Sequence, residues 1–372
     1  MEFVNFKNEL KLSRLGMGAM RFPTTDGLPM GPIDYEKAQE MIDYCMEKGI
    51  NYYDTAYIYH GGDSEVFLGK ALAKYPRESF YLADKYHIKA AQPDYKLQFE
   101  EQLKRLNVDY IDFYLIHSIA DDTIDQYLTN GCIPYFLEQK KQGRIKYLGF
   151  SFHGTQPAFK RVVQHHEWDF ALIQLNYYDW LYGPAKDQYD LLTEKNIPVM
   201  VMEPVHGGML TNLTEAGNEL LKSIEPQDTI PSWAFRFVMN LENVFVVLSG
   251  MSNMEQIKEN IQTVTANKPL TAADWETLQK ACQHFHEATA VTCTSCKYCL
   301  EDCPVDLNLP MLLATYNEYK QGGNWRLSRF NAFAENEKPQ ACIDCGICIG
   351  HCPQNIQIPS LLREMAEAYE KL

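Results

Sequence analysis

Two cysteine runs in this 372-residue chain repeat one spacing, Cys293-x2-Cys296-x2-Cys299-x3-Cys303-Pro304 and Cys342-x2-Cys345-x2-Cys348-x3-Cys352-Pro353, at an offset of 49 residues. Each run offers four thiolates at the spacing that holds an iron–sulfur cluster. In the two-cluster arrangement the fourth cysteine of one run ligates the cluster built mainly by the other. The expected groups are Cys293, Cys296, Cys299 and Cys352 on one [4Fe–4S] centre, and Cys342, Cys345, Cys348 and Cys303 on a second. A pair of four-cysteine zinc sites would instead use C-x-x-C pairs separated by a longer loop. Disulfides fit poorly, because such crowding suits a compact cluster and the first residues show no secretory signal. The expected setting is the reducing cytoplasm.

Four other residues with chemistry in reach stand where short apolar runs end. Asp54 closes Asn51-Tyr-Tyr-Asp54, Lys85 closes Phe80-Tyr-Leu-Ala-Asp-Lys85, and His117 closes Ile111-Asp-Phe-Tyr-Leu-Ile-His117, with Tyr59 just beyond Asp54. Taken singly, such a histidine is commonly a satisfied core residue, and an Asp–Lys pair is commonly a surface ion pair. All four together at strand ends read as a catalytic constellation, provided the strands form a barrel whose rim they share.

The elements that must position them are legible. To about residue 265, short apolar, β-branched or aromatic runs alternate with longer amphipathic segments, the pattern of a parallel sheet with crossover helices. Candidate strands are Leu15 to Gly18, Asn51 to Asp54, Phe80 to Asp84, Ile111 to Ile116, Ile145 to Phe150, Ala171 to Leu175, Val199 to Met202 and Val244 to Leu248. Asp34 to Lys48 reads as a helix, with an N-cap residue first, Gly49 after it, and Ala38, Met41, Ile42 and Cys45 on one face. Eight such units fit a (β/α)8 TIM barrel, with a doubly wound sheet as the alternative. Phe3 to Leu12 predicts a short hairpin that plugs the barrel bottom.

Beyond the barrel, Thr271-Ala-Ala-Asp274 resembles a capping box, and Trp275, Leu278, Cys282 and Phe285 follow at helical spacing. The expected organisation is a barrel over 1–265, a linking helix over 266–290 and a mainly helical two-cluster domain over 291–372. The repeat in that last domain exceeds cysteine. Cys303-Pro-Val-Asp-Leu-Asn-Leu-Pro310-Met-Leu-Leu313 matches Cys352-Pro-Gln-Asn-Ile-Gln-Ile-Pro359-Ser-Leu-Leu362 at the same offset of 49, and each proline suits the first turn of a helix.

Composition narrows the partners. A net charge of −15 argues against nucleic acid or an anionic membrane surface, which call for basic groups, and no apolar run approaches the ~18 residues of a spanning helix. Eight of the eleven cysteines lie in the two runs; Cys45, Cys132 and Cys282 read as small buried apolar residues.

Asp54-Thr-Ala-Tyr-Ile-Tyr59, Lys85 and His117 resemble the catalytic tetrad of the aldo-keto reductase family, and the resemblance extends over residues 1 to about 265. Gly143-Arg-Ile-Lys-Tyr-Leu-Gly-Phe-Ser151 is similar to that family's fifth barrel strand, Gln174-Leu-Asn176-Tyr to its sixth, and Gly250 to Asn260 to the cofactor-binding stretch after its eighth. With the cysteine runs, the chain resembles the family's iron–sulfur branch. The resemblance implies an NADPH or NADH cofactor, with Ser151, Gln174 and Asn176 at the nicotinamide carboxamide, the Gly207-Gly208 turn at the pyrophosphate, Glu259 and Asn260 at the adenine, and Ser252 and Lys258 as candidates for a 2′-phosphate. Phe152 stands where the family usually has asparagine, with His153 next to it. Gly250 and Gln256 stand where many NADPH-preferring members carry basic groups.

The implied chemistry needs these residue types. Reducing a carbonyl requires a hydride for carbon and a proton for the developing alkoxide. Tyr59 is the expected acid: a free phenol has a pKa near ~10, and a neighbouring Lys85 ammonium makes its proton easier to lose. Asp54 would hold Lys85, and His117 would orient the carbonyl. A hydride carries two electrons, whereas each cluster passes one, so the expected partners are a small carbonyl or alcohol substrate and an external electron carrier such as a ferredoxin or flavoprotein. Clusters serving a redox or oxygen sensor, or serving only as staples, are the competing readings.

Overall fold

The computed structural model describes residues 1–27, 30–300 and 302–372. Among the described residues ten strands form in chain order: β1 (Phe3–Phe6), β2 (Leu10–Ser13), β3 (Leu15–Gly18), β4 (Tyr52–Asp54), β5 (Tyr81–Tyr86), β6 (Ile111–Ile119), β7 (Ile145–Phe152), β8 (Phe170–Gln174), β9 (Val199–Met202) and β10 (Val244–Ser249). The last eight close into a parallel barrel in the order β10-β3-β4-β5-β6-β7-β8-β9, which excludes the open, doubly wound alternative. Every expected strand is present. β6 runs past its expected end because a bulge carries it on: the register with β7 skips between Ile116 and Ile119, and Ser118 has φ +51°. Bulges of this kind re-aim side chains, and this one sits at His117.

β1 and β2 pair as an antiparallel hairpin, and its apolar residues close one end of the barrel as expected. Phe6 and Leu12 are fully buried in one cluster with Tyr52, Phe113, Phe170 and Met200. The Phe6 ring meets Phe113 and Tyr147 edge-on at 5.4 and 5.0 Å, a favoured aromatic geometry.

The first long helix runs Tyr35–Glu47, capped by Asp34, whose side chain accepts from the Lys37 N–H, and it buries Ala38, Met41, Ile42 and Cys45. The next two helices pack exceptionally close. On helix Asp63–Leu72 a Cβ at Gly69 would lie 2.4 Å from the Arg105 carbonyl oxygen on helix Tyr95–Leu106. Backbone cannot yield as a side chain tip can, so Gly69→Ala is expected to destabilise by about 1–3 kcal/mol through overpacking. Chemical denaturation should show a lower midpoint at unchanged slope.

The chain divides into two compact units, Met1–Pro204 with Pro231–Ala272, and Val205–Ile230 with Ala273–Leu372. In the second unit, helix Ala272–Ala288 buries Leu278, Ala281, Cys282 and Phe285, while Trp275 is only half-buried. Its place on the buried face is taken by Asp274, one turn before Leu278. The cysteine repeat is a structural repeat as well. Helices Leu309–Gly322 and Ile358–Tyr369 start 49 residues apart, each with proline in its first turn. Left-handed backbone recurs at the same offset, at Ser295 and Asp344, Lys297 and Gly346, and Asp306 and Asn355. Leu312, Leu313, Leu362 and Met365 are central to one apolar core, and Tyr316 Oη donates to Glu364 at 2.6 Å between the two helices. Among the described residues no helix is long and apolar enough to cross a membrane.

Candidate functional site

The rim of the barrel brings the four expected residues together. Asp54 ends β4 and Lys85 lies one residue before the end of β5, and the two are only 4% and 1% exposed. Lys85 Nζ donates to Asp54 Oδ1 at 2.6 Å and to the Thr55 carbonyl at 2.5 Å. It also lies 4.9 Å from the centroid of the Tyr59 ring, whose edge-to-face neighbour at 5.9 Å is His117. Tyr59 is buried and opens a short 3-10 turn, and the residue after it, His60, has φ +51°. Two of the four side chains are thus followed by left-handed non-glycine residues, His60 and Ser118. Strain of this kind persists only where surrounding structure holds it, commonly at functional sites.

The electrostatics suit neutral hydrogen bonding at His117 and an ion pair behind Tyr59. Burial, with His87, Lys85 and His153 nearby, pushes the His117 imidazole well below its ordinary range, so it stays neutral at physiological pH. Burial also brings His153 down to about 4. Burial raises the Asp54 carboxyl, and the Lys85 ammonium opposes that shift. Tyr127 Oη fixes the bulge by donating to the His117 carbonyl at 2.7 Å.

The expected cofactor residues occupy varied places. Ser151 is buried in β7, and its Oγ accepts from the Ser118 N–H at 2.7 Å, so it supports the His117 bulge. Asn176 caps helix Tyr177–Tyr182: its Oδ1 accepts from Asp179 N–H at 2.9 Å, and its Nδ2 donates to Asp179 Oδ2 and to the Glu203 carbonyl. Gln174 donates to the same Asp179 oxygen at 2.8 Å. Asp179 is therefore a hub that ties Gln174, at the end of β8, to the Asn176 cap. Gln256 folds back to accept from the Ser252 N–H at 2.7 Å. Asn253 caps helix Met254–Ala266, whose exposed Lys258 extends over the Tyr44 ring and whose Glu259 is half-buried. Asn260 is buried and donates to Ser249 Oγ at 3.1 Å. Arg21 was missed in the sequence: a Cβ on Gly250 would lie 3.0 Å from its side chain, which puts a cationic residue beside the Gly250 to Asn260 stretch.

In the second unit, Gly207 and Gly208 have φ +65° and +102°. A Cβ at Gly207 would fall 2.5 Å from the Thr294 carbonyl oxygen and Cβ, so packing against the residue after Cys293 already demands glycine there. Gly208 faces open space.

The eight cysteines lie near one another in the second unit. Burial and the neighbouring sulfurs of Cys296, Cys293, Cys352 and Cys348 push the Cys299 thiol up. Burial and the sulfurs of Cys342, Cys345 and Cys303 push Cys348 up to about 11. Thiols buried as Cys299 and Cys348 are resist ionisation unless a cationic group binds them, and coordination deprotonates thiols outright. Cys303, Cys342, Cys345 and Cys348 also line one cavity with an apolar remainder that includes Val305 and Leu307. These donor sets fit iron–sulfur clusters. Cys45, Cys132 and Cys282 are fully buried elsewhere.

Comparison with known proteins agrees with the geometry. The profile of the aldo/keto reductase family matches residues 14–283, and that of a 4Fe-4S dicluster domain matches residues 292–356. The uncharacterized oxidoreductase YqkF of Bacillus subtilis is 26% identical over 73% of this chain and 93% of its own length. The NADH-specific methylglyoxal reductase of Escherichia coli is 25% identical, over 70% and 92%. Among solved structures, the holo form of aldo-keto reductase AKR11C1 from Bacillus halodurans has a TM-score of 0.62 at 30% identity, covering 76% of this chain and 96% of that one. An aldo-keto reductase from Klebsiella pneumoniae in complex with NADPH shares the fold at a TM-score of 0.60 and 17% identity, over 75% and 94%. A closed barrel with this rim, matched by the family profile over most of its length and followed by a 4Fe-4S dicluster domain, places this oxidoreductase in the aldo/keto reductase family.

Proposed function

We propose that this protein interconverts a small carbonyl and its alcohol with NADPH or NADH, that Tyr59 is the general acid and base, and that its eight repeat cysteines hold two [4Fe–4S] clusters. The observation that carries this reading is the Lys85 ammonium, 2.6 Å from Asp54 and 4.9 Å from the Tyr59 ring in a buried rim. Bound nicotinamide would supply the hydride for the carbonyl carbon. Tyr59 gives its proton to the carbonyl oxygen, and Lys85 makes that loss easier by favouring the phenolate. His117, neutral through burial, donates an N–H that orients the same oxygen. Asp54 keeps Lys85 in place. Ser151, Gln174 and Asn176 line up on β7, β8 and the turn beyond as the proposed nicotinamide side. Arg21, Ser252, Lys258, Glu259 and Asn260 surround the proposed adenosine end, where Arg and Lys favour a phosphate.

Clusters bound to the eight cysteines would pass single electrons to an external carrier, a ferredoxin, which takes one, or a flavoprotein, whose flavin can take one or two. The protein's part is to hold the clusters: Cys299 and Cys348 are buried in one apolar core, and Cys293, Cys303, Cys342 and Cys352 pack against it. The test uses anaerobically purified protein. NADPH or NADH oxidation with a panel of small aldehydes is expected, and so are about eight iron and eight sulfide per chain, as two cubane clusters require. No oxidation across the panel would favour a sensor. About four iron per chain would remove one of the two proposed clusters.

A further inference from the structure

Lys85 is held by more than its counter-ion. On the β4 side of β5, Asp54, the last residue of β4, aligns with Ala83, and the Thr55 N–H closes that ladder on the Ala83 carbonyl at 2.9 Å. At Lys85, two residues on, side chains take over from the missing strand. Asp84 Oδ1 accepts from the Lys85 N–H at 2.8 Å, and Gln102 Nε2 donates to the Lys85 carbonyl at 3.0 Å. Gln102 in turn donates to Glu65 Oε1 at 3.0 Å and accepts from Tyr114 Oη at 2.5 Å. Arg105 reaches Glu65 Oε2 at 2.8 Å. Asp84, Glu65, Gln102 and Tyr114 all have 0% exposure.

The protons of this block do not balance if both acids are ionised. Asp84 Oδ2 is buried with no hydrogen-bond partner among the described residues, and the Glu65 carboxyl lies close enough to push the Asp84 carboxyl further up. Two neighbouring carboxylates in a dry interior cannot both carry charge. The charged and titratable groups around them are Lys85 on the same strand, Arg105 on helix Tyr95–Leu106, Tyr114 on β6 and Tyr57 in the loop after β4. Burial raises the Glu65 carboxyl and Arg105 and Gln102 oppose that rise, while for Asp84 burial and the Glu65 charge both push far up. A single proton on Asp84 Oδ2, donated to Glu65, closes the account. Asp84 then donates through one oxygen and accepts the Lys85 N–H with the other.

We propose that Asp84 and Glu65 share one proton, and that this acid–carboxylate pair, with Gln102, is the positioning device that substitutes for the strand partner Lys85 lacks on the β4 side of β5. Keeping Asp84 neutral also leaves Asp54 as the carboxylate partner of the Lys85 ammonium, so the ammonium's field on Tyr59 is not diluted.

Two measurements on the full holo-protein test this. Infrared difference spectroscopy with labelled aspartate and glutamate is expected to show the C=O band of a protonated carboxylic acid at neutral pH, and to lose it in Asp84→Asn, whose amide donates to Glu65 in place of the acid. A missing band in the native protein, or one that survives in Asp84→Asn, overturns the proposal. The second arm rests on the reading of Tyr59 and Lys85 as a catalytic pair. Asp84→Ala is expected to lower kcat about tenfold through a misplaced Lys85, with nucleotide affinity kept, and Asp84→Asn to recover most of that loss. Equal kcat in the two variants overturns the positioning role. If the native protein reduces no aldehyde, the reductase reading fails while the infrared result still decides the shared proton.

Discussion

Tyr59→Phe is expected to lower kcat/KM for carbonyl reduction about 10³-fold, within the 10²–10⁴ that general acid catalysis commonly contributes. The substitution removes only a hydroxyl. The ring that lies 4.9 Å from Lys85 Nζ and 5.9 Å from His117 remains, so the fold and the neighbouring pair should hold. Nucleotide titration by fluorescence is expected to give an affinity within about twofold of the native protein, because the change falls on proton transfer. Loss in kcat with nucleotide affinity intact would identify an interaction made in the transition state. Residual activity within tenfold of native would remove Tyr59 from the acid's role.

Lys85→Met should have the second largest effect, on stability as well as rate. Methionine keeps the length of the side chain but leaves Asp54 buried with no cation, and breaking a buried pair from one side commonly costs about 3–5 kcal/mol. The pH dependence follows from the sign of the Asp54 shift. Burial already raises this carboxyl, and Lys85 is what opposes the rise, so in the variant Asp54 sits higher still. In the window above the ordinary carboxylate pKa the folded variant then holds a proton that the unfolded chain has released, and stability falls as pH rises. Denaturation of Lys85→Met is expected to show a lower midpoint at pH 8 than at pH 5. Adding Asp54→Asn should lessen that slope, since one of the groups that titrate is gone while Asp84 still holds its proton in the fold. An unchanged slope in the double variant would mean that Asp54 does not contribute to it.

Both predictions concern residues found from the sequence, and the reason they could be found is local. Asp54, Lys85 and His117 each end a run whose apolar character marks it as a strand, and a parallel barrel places strand ends on one rim. Eight strands, the hairpin plug and the Asp34 cap were legible for the same reason: each is written in alternation or capping between residues close in sequence. The two cysteine runs were legible because their spacing is written within a few residues, and the 49-residue repeat extends to matched left-handed backbone at Ser295 and Asp344.

Other features follow from no local pattern. Trp275 is at the right spacing for the buried face of its helix, but the neighbours it meets leave it half-buried, with Asp274 inside. Asn176 resembles a cofactor ligand by position and is used as a helix cap. Gly207 resembles a pyrophosphate turn and is required by Thr294.

By itself, then, the sequence determined the barrel, the four residues gathered at its rim and the eight cysteines in their runs, because strand period, strand ends and cysteine spacing are properties of neighbouring residues. Only the tertiary structure decided that Asp84, Glu65 and Gln102 meet behind Lys85, that Ser151 props the His117 bulge, and that Arg21 covers Gly250. Those contacts join elements far apart in the chain. Whether a buried carboxyl finds a donor, an acid or a cation depends on how closely two helices and a strand pack, as at Gly69, which no short-range pattern encodes.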